Sequence, residues 1–430
     1  MEDAASDRRI LYFTAFLRAT ATGLIAVLLG LYLPELRLNA SRVGAVVTCG
    51  LLGGTLATLV ATLLGDRLGR RRVLIALATM AIAGGVMLAF VRSPFAILVV
   101  AFFGMLNGLG RDRSASLVLE QAMLPATTGE RERTQTFAWH ALAQDAGHAL
   151  GSLFAGLPSL LHRSAGVGTV DAYRVGIGVY VLALVAMVIG YSRLSRIVDD
   201  APRDRPAKLS PETRSVLVRI CSLFALDSLG GGFLATALLS AYFHVRFGAT
   251  AGTIGLLFFG ARVANAFSHL GAAWLARRIG LVRTMVFTHI PSSLLLFTVA
   301  WSPNFAIAAV FFLLREGLVE MDVPTRQSYV MSVVRPEERT VVSGATLLVR
   351  TGTAAIAPFI GGHLMQHGSL ATPLIVGASL KIAYDLLLYA AFRNLRPPEE
   401  ASVASQSGVG RPAPPDGAAA VSTTASVGAR

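Results

Sequence analysis

Charge is scarce in this chain. Asp, Glu, Lys and Arg make up 15% of its 430 residues, where a soluble globular domain carries about 25%. Cysteine is scarcer still. Cys49 and Cys221 both sit in or beside apolar runs, which speaks against a disulfide framework and against a cysteine metal site. The chain has no Gly-rich phosphate loop, no nucleophile with a paired base and no metal-ligand spacing. Neither an ATP-driven device nor an enzyme is indicated, and no cofactor or metal is expected. Apolar residues fill the space left by these absences, at 54% of the chain and with a mean hydropathy of +0.61. A chain of that composition is read as a polytopic membrane protein, with the lipid bilayer as its first partner. The net charge of +13 could suit nucleic acid. The basic residues, however, concentrate in loops of one face, which fits membrane topology and no nucleic-acid partner.

Apolar runs long enough to cross a bilayer, roughly 20 residues each, fall at about 10–34, 43–64, 73–91, 95–122, 135–160, 172–193, 215–243, 251–276, 282–300, 304–333, 340–366 and 370–392. The first is too long for a cleavable leader, and its flank Met1 to Arg9 is partly acidic. An even number of spans leaves both termini on one side. Between the sixth and seventh, Ser195 to Thr213 is polar and Pro-containing, and Ser210-Pro211-Glu212 reads as a helix start. From Pro397 the chain is Ala, Ser, Gly, Pro and Thr, a composition that builds no core. The expected organisation is an N-terminal six-helix bundle over 1–193, a linker over 194–213, a second bundle over 214–396 and a disordered tail over 397–430.

The most informative stretch is Gly65-Asp66-Arg67-Leu68-Gly69-Arg70-Arg71-Arg72, a very short turn between the second and third spans. The positive-inside rule explains its arginines and places this face in the cytoplasm. It explains neither the aspartate nor the glycine three residues later. Gly69 supplies the positive φ of a tight turn, and the arginines beside Asp66 are placed to reach carboxylates or helix C-termini. The pattern resembles the loop-2–3 signature of the major facilitator superfamily, with Leu64, Gly65, Asp66, Arg67, Gly69, Arg70, Arg71 and Leu74 matching and Thr62 replacing the first glycine. The resemblance implies an all-α, twelve-helix transporter of two pseudo-symmetric bundles that moves a small molecule by alternating access. It also implies that Asp66, Arg67, Gly69, Arg70 and Arg71 act in gating.

An internal repeat supports two halves. Ala40-Ser41-Arg42-Val43-Gly44 aligns with Ala251-Gly252-Thr253-Ile254-Gly255 at an offset of 211, which also sets Asp66-Arg67-Leu68-Gly69 on Arg277-Arg278-Ile279-Gly280 without the acid. At an offset of 206, Glu132-Arg133-Thr134 falls on Glu338-Arg339-Thr340. The same offset sets Gly151 to Gly156 on Ala357 to Gly362.

Charges inside spans must face protein or water and find partners. Arg18 in the first span and Asp227 in the seventh lie near the midplane, related by an offset of 209 that also pairs Gly23 with Gly232. In the superfamily the first, fourth, seventh and tenth helices line the cavity, so the two are expected to meet across it, either as a working pair or as a permanent bridge. Arg111 and Asp112 in the fourth span and Glu316, Glu320 and Asp322 in the tenth complete the candidate cavity and ion-coupling residues. A kink is expected at Pro324, and Lys381 with Asp385 reads as a self-neutralised pair four residues apart. A split antiporter-like signature, Gly147-x-x-x-Gly151 with Ser152 and Thr353-x-x-x-Ala357-Pro358-x-x-Gly361-Gly362, points to export. The expected protein is a monomeric, proton-coupled exporter of a small organic molecule in the cytoplasmic membrane of a bacterium. Proton-coupled uptake is the alternative, and a non-transporting membrane sensor on the same fold the remote one.

Overall fold

The computed structural model describes residues 2–129, 132–195, 210–279, 281–321 and 338–392. The expected tail, nearly all of the linker, and Asp322, Pro324 and Arg326 lie outside the described residues, as does the side chain of Asp66. The described chain is helical throughout, with no strand among the described residues.

The first three spans are continuous helices: α1 (Glu2–Glu35), α2 (Ala40–Leu68) and α3 (Arg70–Phe90). Asn39 caps α2 by accepting from the Arg42 N–H at 3.0 Å. Gly69 alone separates α2 from α3, at φ 88°, the left-handed region in which a side chain is strained.

The fourth span departs from the expected single helix. It is α4 (Pro94–Phe103) and α5 (Ala115–Met123), separated by an irregular stretch in which Met105 and Gly110 have positive φ. Asn107 holds that stretch together: its Nδ2 donates to the Arg111 carbonyl at 2.8 Å while its Oδ1 accepts from the Leu109 N–H at 2.9 Å. Ser114 then caps α5. The fifth span is α6 (Arg133–Phe154) with α7 (Leu157–Ala165), and the sixth is α8 (Thr169–Ser192).

The second half opens as the sequence suggests. Ser210 caps α9 (Pro211–Phe233), accepting from the Thr213 N–H at 3.3 Å, with Pro211 at the first helical position. The seventh span breaks at Leu234 and Ala235 before α10 (Thr236–Phe247). There follow α11 (Ala251–Ile279), α12 (Leu281–Trp301), α13 (Phe305–Val319), α14 (Arg339–His367) and α15 (Thr372–Phe392). Seven of the described spans are long and apolar enough to cross a membrane by length and composition alone. The fourth is shortened by its break to Pro94–Phe103, and Val286–Trp301 is a further shorter apolar helix. Apolar side chains such as Phe90, Phe95, Leu63 and Trp301 stand exposed on the outer surface, as lipid-facing residues do.

The repeat is visible in the packing. Gly23 of α1 rests on the backbone of His148 in α6, and Gly232 of α9 rests on the backbone of Ala354 in α14, both pairs displaced by the offsets found in the sequence. Contacts between the halves follow the same rule. Gly44 of α2 abuts Pro358 and Gly362 of α14; Gly255 of α11 abuts Ser152 and Gly156 beside α6. At each position a Cβ would collide with backbone, so only glycine permits the approach. Hydrogen bonds reinforce both crossings: Phe359 N–H donates to Thr48 Oγ1 at 2.9 Å, and Gly252 N–H donates to Ser159 Oγ at 3.0 Å. These contacts close the face opposite the Gly69 turn.

Candidate functional site

The two broken spans meet. The backbone N–H of Ala237 donates to the Gly108 carbonyl at 3.0 Å, and Thr236 Oγ1 donates to the Leu109 carbonyl at 3.0 Å. Arg262 of α11 adds a bond to the Gly110 carbonyl at 3.0 Å. Irregular backbone at membrane depth leaves peptide groups without helical partners; here each break satisfies the other. Two adjoining cavities flank this junction and share Leu109, Arg111, Arg113 and Ala354 in their walls.

On the N-terminal side, Arg18 forms ion pairs with Asp112 and with Glu120, the latter at 2.5 Å. Glu120 is fully buried and collects further donors: Tyr191 OH at 2.5 Å, Thr14 Oγ1 at 3.3 Å and His140 Nε2 at 3.0 Å. The Gln144 amide approaches His140 Nδ1 at 3.0 Å. An amide nitrogen only donates, so Nδ1 accepts and the proton assigned by the network sits on Nε2, directed at Glu120.

On the C-terminal side, Asp227 accepts from Lys381 Nζ at 2.9 Å and lies 3.8 Å from Arg350. Lys381 also reaches His289 Nε2 at 3.4 Å, while His289 Nδ1 lies 2.9 Å from Asp385. Since an ammonium only donates, His289 accepts at Nε2 and donates from Nδ1. The result is an ordered chain from Asp385 through His289 and Lys381 to Asp227, which lines the cavity.

These pairings correct the expectation drawn from the repeat. Arg18 and Asp227 do not pair with each other: each is bound within its own half. Lys381 and Asp385 do not neutralise each other either, because each points to a different neighbour. Arg315 holds Glu316, and Arg111 holds Glu320 across the two halves. Asp112, placed in the cavity by sequence, is buried beneath Arg18 with its side chain 1% exposed. Arg111 lines both cavities and Glu316 the C-terminal one. His140, Tyr191, His289, Arg350 and Lys381 join the networks without having been singled out as site residues. In the turn, Arg70 donates to the Ala122 carbonyl at 3.0 Å and Arg71 to the Ser192 carbonyl, so both sit on the C-terminal ends of helices, where cations are favoured. Arg67 is exposed.

The profile of the Major Facilitator Superfamily matches residues 11–358 and 220–426. The chain belongs to this superfamily. A membrane protein of Saccharomyces cerevisiae described as uncharacterized, YJR124C, is 26% identical over 423 residues, covering 90% of this chain and 94% of the yeast protein. Among solved structures, a point mutant of the nucleoside transporter NupG superposes with a TM-score of 0.70 at 15% identity, over 90% of this chain and all of that one. A bacterial homologue of the human lysosomal transporter Spinster, inward-facing and unoccupied, gives 0.64 at 12% identity, over 90% and 95% of the two chains. At such identities the likeness shows the fold alone. The protein is a multi-pass membrane protein of this fold.

Proposed function

We propose that the chain is a secondary active transporter that exports a small organic molecule in exchange for protons. The observation that carries this reading is Asp227: a carboxylate in the cavity wall, tied to a lysine that continues through His289 to a second buried carboxylate. No ATP-binding loop occurs in the sequence, so uphill movement draws on an ion gradient. Lys381 and Arg350 hold the Asp227 carboxylate; when substrate engages these cations or the halves separate, the carboxylate is released and can take a proton. Release of the Asp227 carboxylate and binding of the substrate are then linked through the same cationic partners. The export direction rests on the split antiporter-like signature, and uptake uses the same parts with the order of events reversed.

The arginine-rich turn supports a cytoplasmic position for the Gly69 face. The glycine crossings then close the outer face, and the conformation is inward-facing. Asp66, Arg67, Gly69, Arg70 and Arg71 act on the conformational equilibrium, since they lie at a helix junction and Arg70 and Arg71 grip helix ends.

Proteoliposomes loaded with a pH dye test the coupling. Adding an exchanged substrate moves protons in the unaltered protein, while Asp227→Asn exchanges substrate without moving them. Substrate flux that ignores the pH gradient in the unaltered protein would overturn the proton-coupled reading.

A further inference from the structure

The walls of the two cavities differ in a way that describes their occupant. The C-terminal cavity is lined by Arg111, Arg113, Arg262, Arg315, Arg350 and Lys381 against two acids, Asp227 and Glu316. Six cations against two anions leave an excess of four in the wall itself, and counting Glu320 behind Arg111, Asp385 behind His289 and Asp145 near Arg262 still leaves one. Buried cations in such excess need an anion. Arg315 is 4% exposed, and its Nε has no hydrogen-bond partner among the described residues; the same is true of Arg262 Nε. Arg315 also lies over the Phe312 ring at 6.0 Å and Arg350 over the Phe224 ring at 5.6 Å, contacts that hold a guanidinium plane in place.

The N-terminal cavity is different. Apart from its polar rim near the fourth-span break, its wall is built from residues such as Ile25, Leu51, Leu77, Met105, Leu184 and Met187. Arg111 and Arg113 stand at the junction of the two spaces.

We infer that the molecule this transporter carries is an amphiphilic organic anion. Its carboxylate or phosphate head is held by Arg111, Arg262 and Arg315, and its apolar body lies against Leu77, Leu184 and Met187. This assignment rests on the transporter reading above but names a site that can be tested without transport. The guanidinium fork matches both head groups bidentately. The apolar wall supplies affinity for a body several carbons across.

The test uses the full chain in lipid nanodiscs and four probes with one ring system: naphthoate, naphthyl phosphate, naphthylmethanol and naphthylmethylamine. Calorimetric titration is expected to give binding of at least one anion about tenfold or more tighter than the alcohol, with no saturable binding of the amine. The two anions in parallel tell a carboxylate head from a phosphate head. Arg262→Gln and Arg315→Gln should each weaken the anion about tenfold while leaving the alcohol's affinity unchanged. Should either variant fail to fold, Leu184→Trp, which fills the apolar space, provides the second arm: it should weaken naphthoate but not benzoate. Amine or alcohol binding as tight as the acid, or no saturable anion binding, overturns the assignment. In proteoliposomes the two readings separate. Exchange of the amine would keep the transporter and remove the anion site. Anions that bind but never exchange would keep the site and remove the transport reading.

Discussion

The two halves place opposite charges at the same point of the repeat and surround them differently. In the first half a single base, Arg18, faces two acids, Asp112 and Glu120, and Glu120 is enclosed by Tyr191, Thr14 and His140. In the second half a single acid, Asp227, faces two bases, Lys381 and Arg350, and opens onto a cavity. The signs are inverted, and so is the member that meets open space: in the first half the base Arg18 lines a cavity while its acids do not, and in the second the acid Asp227 lines one itself. A buried network in which every oxygen of Glu120 is occupied acts as structure. An acid whose partners border open space can exchange a base for a proton or for a ligand. Pseudo-symmetry thus supplies two copies of one position, and access to water divides their labour.

The largest effect is expected where the buried network is cut. Glu120→Ala leaves Arg18, His140 and Tyr191 without their shared acceptor, and loss of one member of a buried pair costs about 3–5 kcal/mol. Thermal unfolding of the purified protein should fall steeply, or folded yield collapse. A stability close to that of the unaltered protein would show that the network is not structural. Asp227→Asn should do the opposite, keeping the fold while abolishing substrate-driven proton movement.

Double substitutions sharpen the contrast. Because Arg18 and Asp227 share no partner, Arg18→Ala and Asp227→Ala should add in unfolding free energy to within about 0.5 kcal/mol. Asp227→Ala with Lys381→Ala should deviate from additivity by about 0.5–3 kcal/mol, since each single change strands the other's charge. Coupling between Arg18 and Asp227 larger than that between Asp227 and Lys381 would reverse the assignment of partners. The smallest effect belongs to Asp171 and Arg174, a pair at 2.8 Å whose Asp171 side chain is 64% exposed. Asp171→Asn should change stability by less than about 1 kcal/mol, a baseline against which the buried networks are judged.

Much of this fold could be read in the sequence, because hydropathy and the repeat report on backbone position along the membrane normal. The offsets of 211 and 206 that align Gly44 with Gly255 and Gly156 with Gly362 reappear as matched crossings between the halves. The Ser210-Pro211 start of α9 and the turn at Gly69 were equally legible, since caps and positive φ are local properties. Partner choice was not. An offset relates Arg18 to Asp227, but the same operation relates their neighbours, so equivalent residues face the interiors of their own bundles rather than each other. Lys381 and Asp385 looked self-contained because spacing along one helix hides the helices packed against it. The break in the fourth span carried a signal in Gly104, Asn107, Gly108 and Gly110, four turn-forming residues in a row of seven. High hydropathy on either side concealed it.

The crossings at Gly44 and Gly255 have a consequence for leakage. Where helices are parted by side chains, a rotamer change can open a thread of water while the walls stay in place. Here main chain lies against main chain, and no torsion short of moving an entire helix can create a passage. Two such contacts, related by the repeat, must part together. The closed face therefore opens only by displacement of whole helices, and a side chain that changes rotamer beside it leaves the seal as it was.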